Sequence, residues 1–66
     1  MMEQCSVYCI SSEKDAVADI LERNEKRIKV AMVGTDMTIV LTRQDHRQPY
    51  IGFLGGLEFE TFGELE

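Results

Sequence analysis

The alternation of apolar and polar side chains in residues 27–43 is the pattern that most limits how this chain can fold. It runs from Arg27 to Val33 and again from Met37 to Arg43, with the polar turn Gly34-Thr35-Asp36 between the two runs. Alternate side chains of a strand point to opposite faces, and the glycine supplies the positive φ that tight turns need. The pattern therefore predicts a β-hairpin. Its core face would comprise Ile28, Val30, Met32, Ile39 and Leu41.

An earlier strand is predicted over residues 4–10, which are rich in β-branched and aromatic residues and contain no glycine or proline. Cys5, Val7 and Cys9 share one face of this strand. Ser6, Tyr8 and Ile10 lie on the opposite face, because side chains alternate along a strand. We expect the face with the two cysteines to join the core face of the hairpin.

Residues 12–26 predict an α-helix between this strand and the hairpin. Val17, Ile20 and Leu21 recur at helical spacing, and Asn24 ends the apolar stripe. Acidic residues open the segment and basic residues close it, which is the order that the helix dipole favours. We expect the three apolar side chains to pack on the core face of the sheet.

Residues 50–62 predict one more strand or a second hairpin, following the polar loop that ends at Pro49. A two-residue turn at Gly55-Gly56 would place Phe53 opposite Glu58, an apolar residue beside an acidic one, and is therefore disfavoured. Two arrangements remain, a three-residue turn at residues 54–56 or a single strand kinked at the glycines. Both bury the same residues, which are Ile51, Phe53, Leu57 and Phe59.

These elements predict an α+β fold of two layers, in which one α-helix packs on a mainly antiparallel sheet of four or five strands. The element order would be β-α-β-β-β(-β). A chain of 66 residues has material for a single core, so residues 1–64 are expected to form one small domain. Residues 65–66 look like vector-derived residues and are left out of the predicted domain.

One helix cannot cover a sheet of this width, which leaves the second sheet face half apolar. We expect this face, or an exposed edge strand of the sheet, to mediate self-association, because exposed apolar surface and unpaired strand edges are typical of interfaces. The candidate interface residues are Tyr8, Ala31, Val33, Val40 and Leu54. The resulting hypothesis is a non-enzymatic protein-interaction module of unknown biological process that acts as a homodimer.

The polar loop suggests an alternative function, a small-molecule or anion-binding domain that uses residues 43–50. Loops on a rigid sheet often carry binding residues, and arginines bind carboxylates and phosphates. The candidate ligand-binding residues are Arg43, Asp45, His46, Arg47 and Tyr50. No recognisable nucleophile accompanies His46, so the sequence predicts no catalytic residues.

The net charge suggests a further alternative. Twelve acidic and seven basic residues give a formal charge of −5, which argues against nucleic-acid binding. An acidic inhibitor could present Glu58, Glu60 and Glu64 to a basic surface of another protein.

The two cysteines and the overall composition bear on disulfides, metals and membrane association. Cys5 and Cys9 would lie about 13 Å apart on one strand, too far for a disulfide, and His46 is the only histidine. We therefore expect buried thiols in a reducing cytoplasm, with no metal and no cofactor. The chain shows no signal peptide and no apolar run of about 18 residues, so no membrane association is predicted.

Overall fold

The computed structural model describes residues 3–64, and these residues form a closed antiparallel β-barrel of six strands in chain order. The strands are β1 (Gln4–Cys9), β2 (Lys14–Arg23), β3 (Arg27–Met32), β4 (Thr38–Thr42), β5 (Tyr50–Leu54) and β6 (Leu57–Thr61). The described residues contain no helix, so the predicted α+β fold is wrong. The two residues interpreted as vector-derived, 65 and 66, lie outside the described range.

Pairing of the first strand with the last closes the barrel. Tyr8 lies opposite Glu60, and Cys9 lies opposite Phe59. A backbone hydrogen bond of 2.8 Å from the amide of Ile10 to the carbonyl oxygen of Glu58 extends the pairing. Each strand therefore has a neighbour on both sides, which removes the open edge that an unclosed sheet presents to other chains.

Strand β2 occupies most of the segment predicted to be a helix. Its first half pairs with β1, with Ser6 opposite Val17, and its second half pairs with β3, with Ile20 opposite Val30. Ala18 and Ile20 point inward, whereas Val17 and Leu21 are exposed. The helix prediction failed because Ala18, the one buried alanine of β2, gives little apolar signal at a period of 2, whereas Val17, Ile20 and Leu21 fit a period of 3.6. The strand supplies hydrogen-bond partners to two neighbours at once, which the local pattern does not show.

The C-terminal hairpin turns at Gly55 and Gly56, the two-residue turn that the sequence disfavoured. Both glycines have positive φ, 61° and 80°, as a type I′ hairpin turn requires. Leu54 pairs with Leu57, and Phe53 lies opposite Glu58 on the outside of the barrel. A register shift of one residue turns the predicted inward face of β5 to the outside, so the prediction that Ile51 and Phe53 are buried is wrong. Leu57 keeps the face of Phe59 but is the first residue of β6 and is 40% exposed, so its predicted burial is also wrong. Only Phe59 of that set is buried.

The core fills the inside of the barrel. It contains Cys5, Val7, Cys9, Ala18, Ile20, Ile28, Val30, Met32, Ile39, Leu41, Tyr50 and Phe59. The predicted core faces of the first strand and of the central hairpin are therefore confirmed. The barrel is narrow enough for these side chains to fill it, so the interior is a packed core and the wall is the surface available for function. No helix within residues 3–64 has the length and apolar character needed to cross a membrane.

Candidate functional site

The five candidate ligand-binding residues lie on the loop between β4 and β5 and at the start of β5. The Arg43 side chain is fixed by hydrogen bonds to two backbone carbonyl oxygens and by a contact with an aromatic ring. Its Nε donates a hydrogen bond of 2.6 Å to the carbonyl oxygen of Glu25, and one terminal nitrogen lies 3.3 Å from the carbonyl oxygen of His46. The guanidinium carbon lies 4.2 Å from the ring centroid of Tyr50, a cation–π geometry. Arg43 thus joins two loops, and two of its five N–H donors are already used within the protein.

Asp45 organises the tip of the same loop. Its carboxylate accepts a hydrogen bond of 2.9 Å from the backbone amide of Arg47 and lies 3.6 Å from both the Arg47 guanidinium and Nδ1 of His46. The backbone hydrogen bond is the main cause that lowers the pKa of the Asp45 carboxyl, and the Arg47 side chain adds to it. An internal carboxylate therefore offsets part of the positive charge that an anion would use.

Tyr50 belongs to the core. Its ring is buried inside the barrel, and its hydroxyl donates a hydrogen bond of 2.9 Å to the carbonyl oxygen of Asn24. Beside the loop lies an open cleft of about 310 Å³. It is lined by Thr42, Arg43, Gln44, Gln48, Pro49 and Ile51. Only one of the five candidates, Arg43, reaches this cleft.

The candidate interface residues divide into two groups. Ala31, Val33 and Val40 lie on the outer surface of β3, β4 and the turn between them, where Val33 and Val40 are exposed. Tyr8 is on β1, across the barrel from β4 in the strand order. Leu54 is half-buried and packs against the core. The structure thus brings three of the five together.

Two exposed residues that the sequence analysis assigned to the core extend this surface. The backbone amide of Val33 donates a hydrogen bond of 3.1 Å to the carbonyl oxygen of Val17, so the two valines are cross-strand neighbours. Phe53 follows Gly52, whose backbone lies against Val40, and its side chain is 70% exposed. We call Val17, Ala31, Val33, Val40 and Phe53 the apolar stripe. The sequence signal for Phe53 was the alternation in residues 50–62, read in the register of the two-residue turn.

The two cysteines are buried inside the barrel as free thiols. Burial raises the pKa of the Cys5 thiol, whereas a hydrogen bond with the Ser12 hydroxyl lowers that of Cys9. Within residues 3–64, no three His, Cys, Asp or Glu side chains are grouped so as to hold a metal ion.

Comparisons of this chain with protein-family models, with curated proteins and with solved structures find no match.

Proposed function

We propose that this protein is a non-enzymatic interaction module of the cytoplasm that forms a homodimer through the apolar stripe. The observation that supports the proposal is the exposure of valine and phenylalanine side chains across neighbouring strands, with Val33 52% and Phe53 70% exposed. A barrel that already contains a packed core has no internal use for these side chains. Contiguous exposed apolar surface on a small soluble protein is typical of an interface.

The charges beside the stripe favour a second copy of the chain as the occupant. Asp19 and Ala31 lie opposite each other, and Lys29 lies opposite Val40. An acid and a base therefore flank the apolar residues on the same side of the barrel. In a two-fold interface each patch meets itself, so Lys29 of one copy can approach Asp19 of the other.

The area that a stable dimer interface buries indicates how much of the protein surface must take part in it. A stable interface buries about 800 Å² on each partner, whereas one chain exposes 4561 Å² in total. About a sixth of the surface would be covered, which is more than five side chains provide. The polar outward residues of β4, Thr38 and Thr42, would therefore form the rim.

Substitution of single stripe residues by aspartate tests the proposal. Val33→Asp and Val40→Asp should each convert the dimer to a folded monomer, because an unpaired carboxylate would be buried at the interface. Sedimentation equilibrium measures the association, and circular dichroism checks the fold. Gln44→Asp is the control for added negative charge, since Gln44 is exposed on the loop between β4 and β5, outside the stripe. A wild-type monomer at millimolar concentration, or a dimer that survives both stripe substitutions, would contradict the proposal.

A further inference from the structure

A second cleft lies where β1 meets β6. It adjoins the apolar stripe at one point, since its lining residue Ser6 lies opposite Val17. It has a volume of about 310 Å³ and is open to solvent. Its lining residues are Ser6, Tyr8, Asp15, Glu60, Thr61, Phe62 and Glu64. The lining contains two aromatic rings and three carboxylates and no basic residue, which is a combination suited to a cation.

The strand register places the ring of Tyr8 between two acids. Tyr8 lies opposite Asp15 on β2 and opposite Glu60 on β6, so one transverse row reads acid, aromatic ring, acid. Directly opposed residues on antiparallel strands have Cβ atoms about 5 Å apart. Both carboxylates are therefore within reach of a group placed over the ring.

These groups have no partners of their own in the described part of the chain. Within residues 3–64, Asp15 and Glu60 form no ion pair, and the Tyr8 hydroxyl forms no hydrogen bond. Desolvation raises the pKa of the Tyr8 phenol, and the negative charges of Glu13, Asp15 and Glu60 raise it further. The acidic neighbours that contribute to this shift surround the ring with negative charge, which an incoming cation would offset.

Phe62 adds an apolar contact at the edge of the cleft. It follows Glu60 by two residues, and 60% of its side chain is exposed. Two aromatic rings with carboxylates beside them bind a guanidinium or ammonium group through cation–π attraction and charge-assisted hydrogen bonds together. Arginine is the better fit, because its planar group can stack on a ring while its nitrogens contact carboxylates.

We propose that this cleft binds an arginine side chain presented by a partner protein, with Tyr8 and Phe62 contacting the guanidinium and Asp15 and Glu60 pairing with its charge. The cleft would give the module a second, charge-selective binding surface. None of its lining residues belongs to the apolar stripe, so its binding chemistry is separate from that of the homodimer.

The test is a titration of the ¹⁵N-labelled protein with the peptide acetyl-Gly-Arg-Gly-amide, followed by backbone amide shifts. The same peptide with citrulline in place of arginine keeps the shape and removes the charge. We expect saturable shifts at Ser6, Tyr8, Glu60 and Phe62 with the arginine peptide and much smaller shifts with citrulline. Equal responses to both peptides, or shifts that map outside the cleft, would overturn the proposal.

Matched variants separate the cleft from the general acidity of the protein. Glu60→Gln and Glu25→Gln each remove one negative charge, but Glu25 lies outside the cleft, on the loop before β3. We expect Glu60→Gln to weaken binding about two- to fivefold and Glu25→Gln to leave it unchanged. Phe62→Ala should weaken it by a similar factor through the lost cation–π contact. Equal effects of the two glutamine variants would mean attraction by net charge alone and would also overturn the proposal.

The homodimer is measured separately by sedimentation. A failed titration with an intact dimer would therefore remove only the cleft proposal.

Discussion

The hydroxyl of Tyr50 donates a hydrogen bond of 2.9 Å to the backbone carbonyl oxygen of Asn24, joining the start of β5 to the turn between β2 and β3. The Asn24 side chain stabilises that turn, since its Oδ1 accepts hydrogen bonds from the backbone amides of Lys26 and Arg27 at 3.0 and 2.8 Å. The guanidinium of Arg43 covers the tyrosine ring. One end of the barrel is thus held together by a buried phenol that the sequence analysis assigned to ligand binding.

Tyr50→Phe should lower the free energy of unfolding by about 1 kcal/mol, because it removes this hydrogen bond and leaves a carbonyl oxygen without its partner. Urea denaturation followed by circular dichroism measures the change. Tyr8→Phe is the control, since within residues 3–64 its hydroxyl has no hydrogen-bond partner, and it should change stability by less than about 0.5 kcal/mol. Equal losses of unfolding free energy in both variants would show that the Tyr50 hydrogen bond does not stabilise the fold.

Gly52→Ala should destabilise the barrel strongly. A Cβ at this position would lie 2.5 Å from the carbonyl oxygen of Val40 and 2.9 Å from Cγ of Leu41, so the backbones of β4 and β5 would have to separate. The expected loss is about 2–3 kcal/mol.

Gly55→Asn is the matched comparison for Gly52→Ala. Gly55 has φ of 61° and open space around it, and asparagine tolerates this left-handed conformation. The Gly55→Asn variant should therefore unfold at nearly the same urea concentration as the wild type. A Gly52→Ala variant as stable as Gly55→Asn would mean that β4 and β5 do not approach as closely as the structure shows.

A pair of lysine substitutions distinguishes the observed strand at residues 14–23 from the predicted helix. Ala18 is fully buried inside the barrel, so Ala18→Lys places an unpaired charge in the core and should prevent folding. Val17 is 41% exposed, with Asp15 and Asp19 two residues away on the same face of the strand, so Val17→Lys should fold. The amide spectrum at low micromolar concentration reports folding without interference from self-association.

A helix would reverse this order of tolerance. Val17 would then face the sheet with Ile20 and Leu21, and Ala18 would face solvent. A folded Ala18→Lys variant together with an unfolded Val17→Lys variant would therefore contradict the barrel.

The two cysteines should affect the alkaline stability of the protein in opposite directions. Burial raises the pKa of Cys5 in the folded state above its ordinary value near 9.0, so its contribution to stability is present below that value and declines as the pH rises. The pKa of Cys9 is lowered in the folded state, so its contribution grows as the pH rises through its folded pKa.

Urea denaturation between pH 7 and pH 10 measures both contributions. Cys5→Ala should reduce the alkaline loss of unfolding free energy, and Cys9→Ala should increase it. The slopes with pH are compared rather than the absolute values, because each substitution also removes buried volume. Identical slopes in the two variants would contradict the opposite pKa shifts.

Local patterns in the sequence determined a large part of the barrel interior. The alternation on both sides of Gly34 predicted β3 and β4 with the correct inward residues, and the alternation of Cys5, Val7 and Cys9 predicted β1 in the same way. These predictions succeeded because large apolar side chains at every second position all lie on one face of a strand. That face is the one that the fold buries. The same alternation placed Ala31, Val33 and Val40 on the outside, and the candidate interface followed from it.

Only the tertiary structure decided the rest. Residues 14–23 form a strand because they supply hydrogen-bond partners to both β1 and β3. The local sequence of this segment contains no information about those two partners. The register of the last hairpin depends on both Gly55 and Gly56 adopting positive φ, which moved Phe53 outward to the apolar stripe. The cleft around Tyr8 exists because closure sets Asp15 and Glu60, 45 positions apart in the sequence, on either side of one ring. Such a site is assembled by pairing between distant strands. The free energy that favours this pairing comes from closing the whole barrel and not from any one segment.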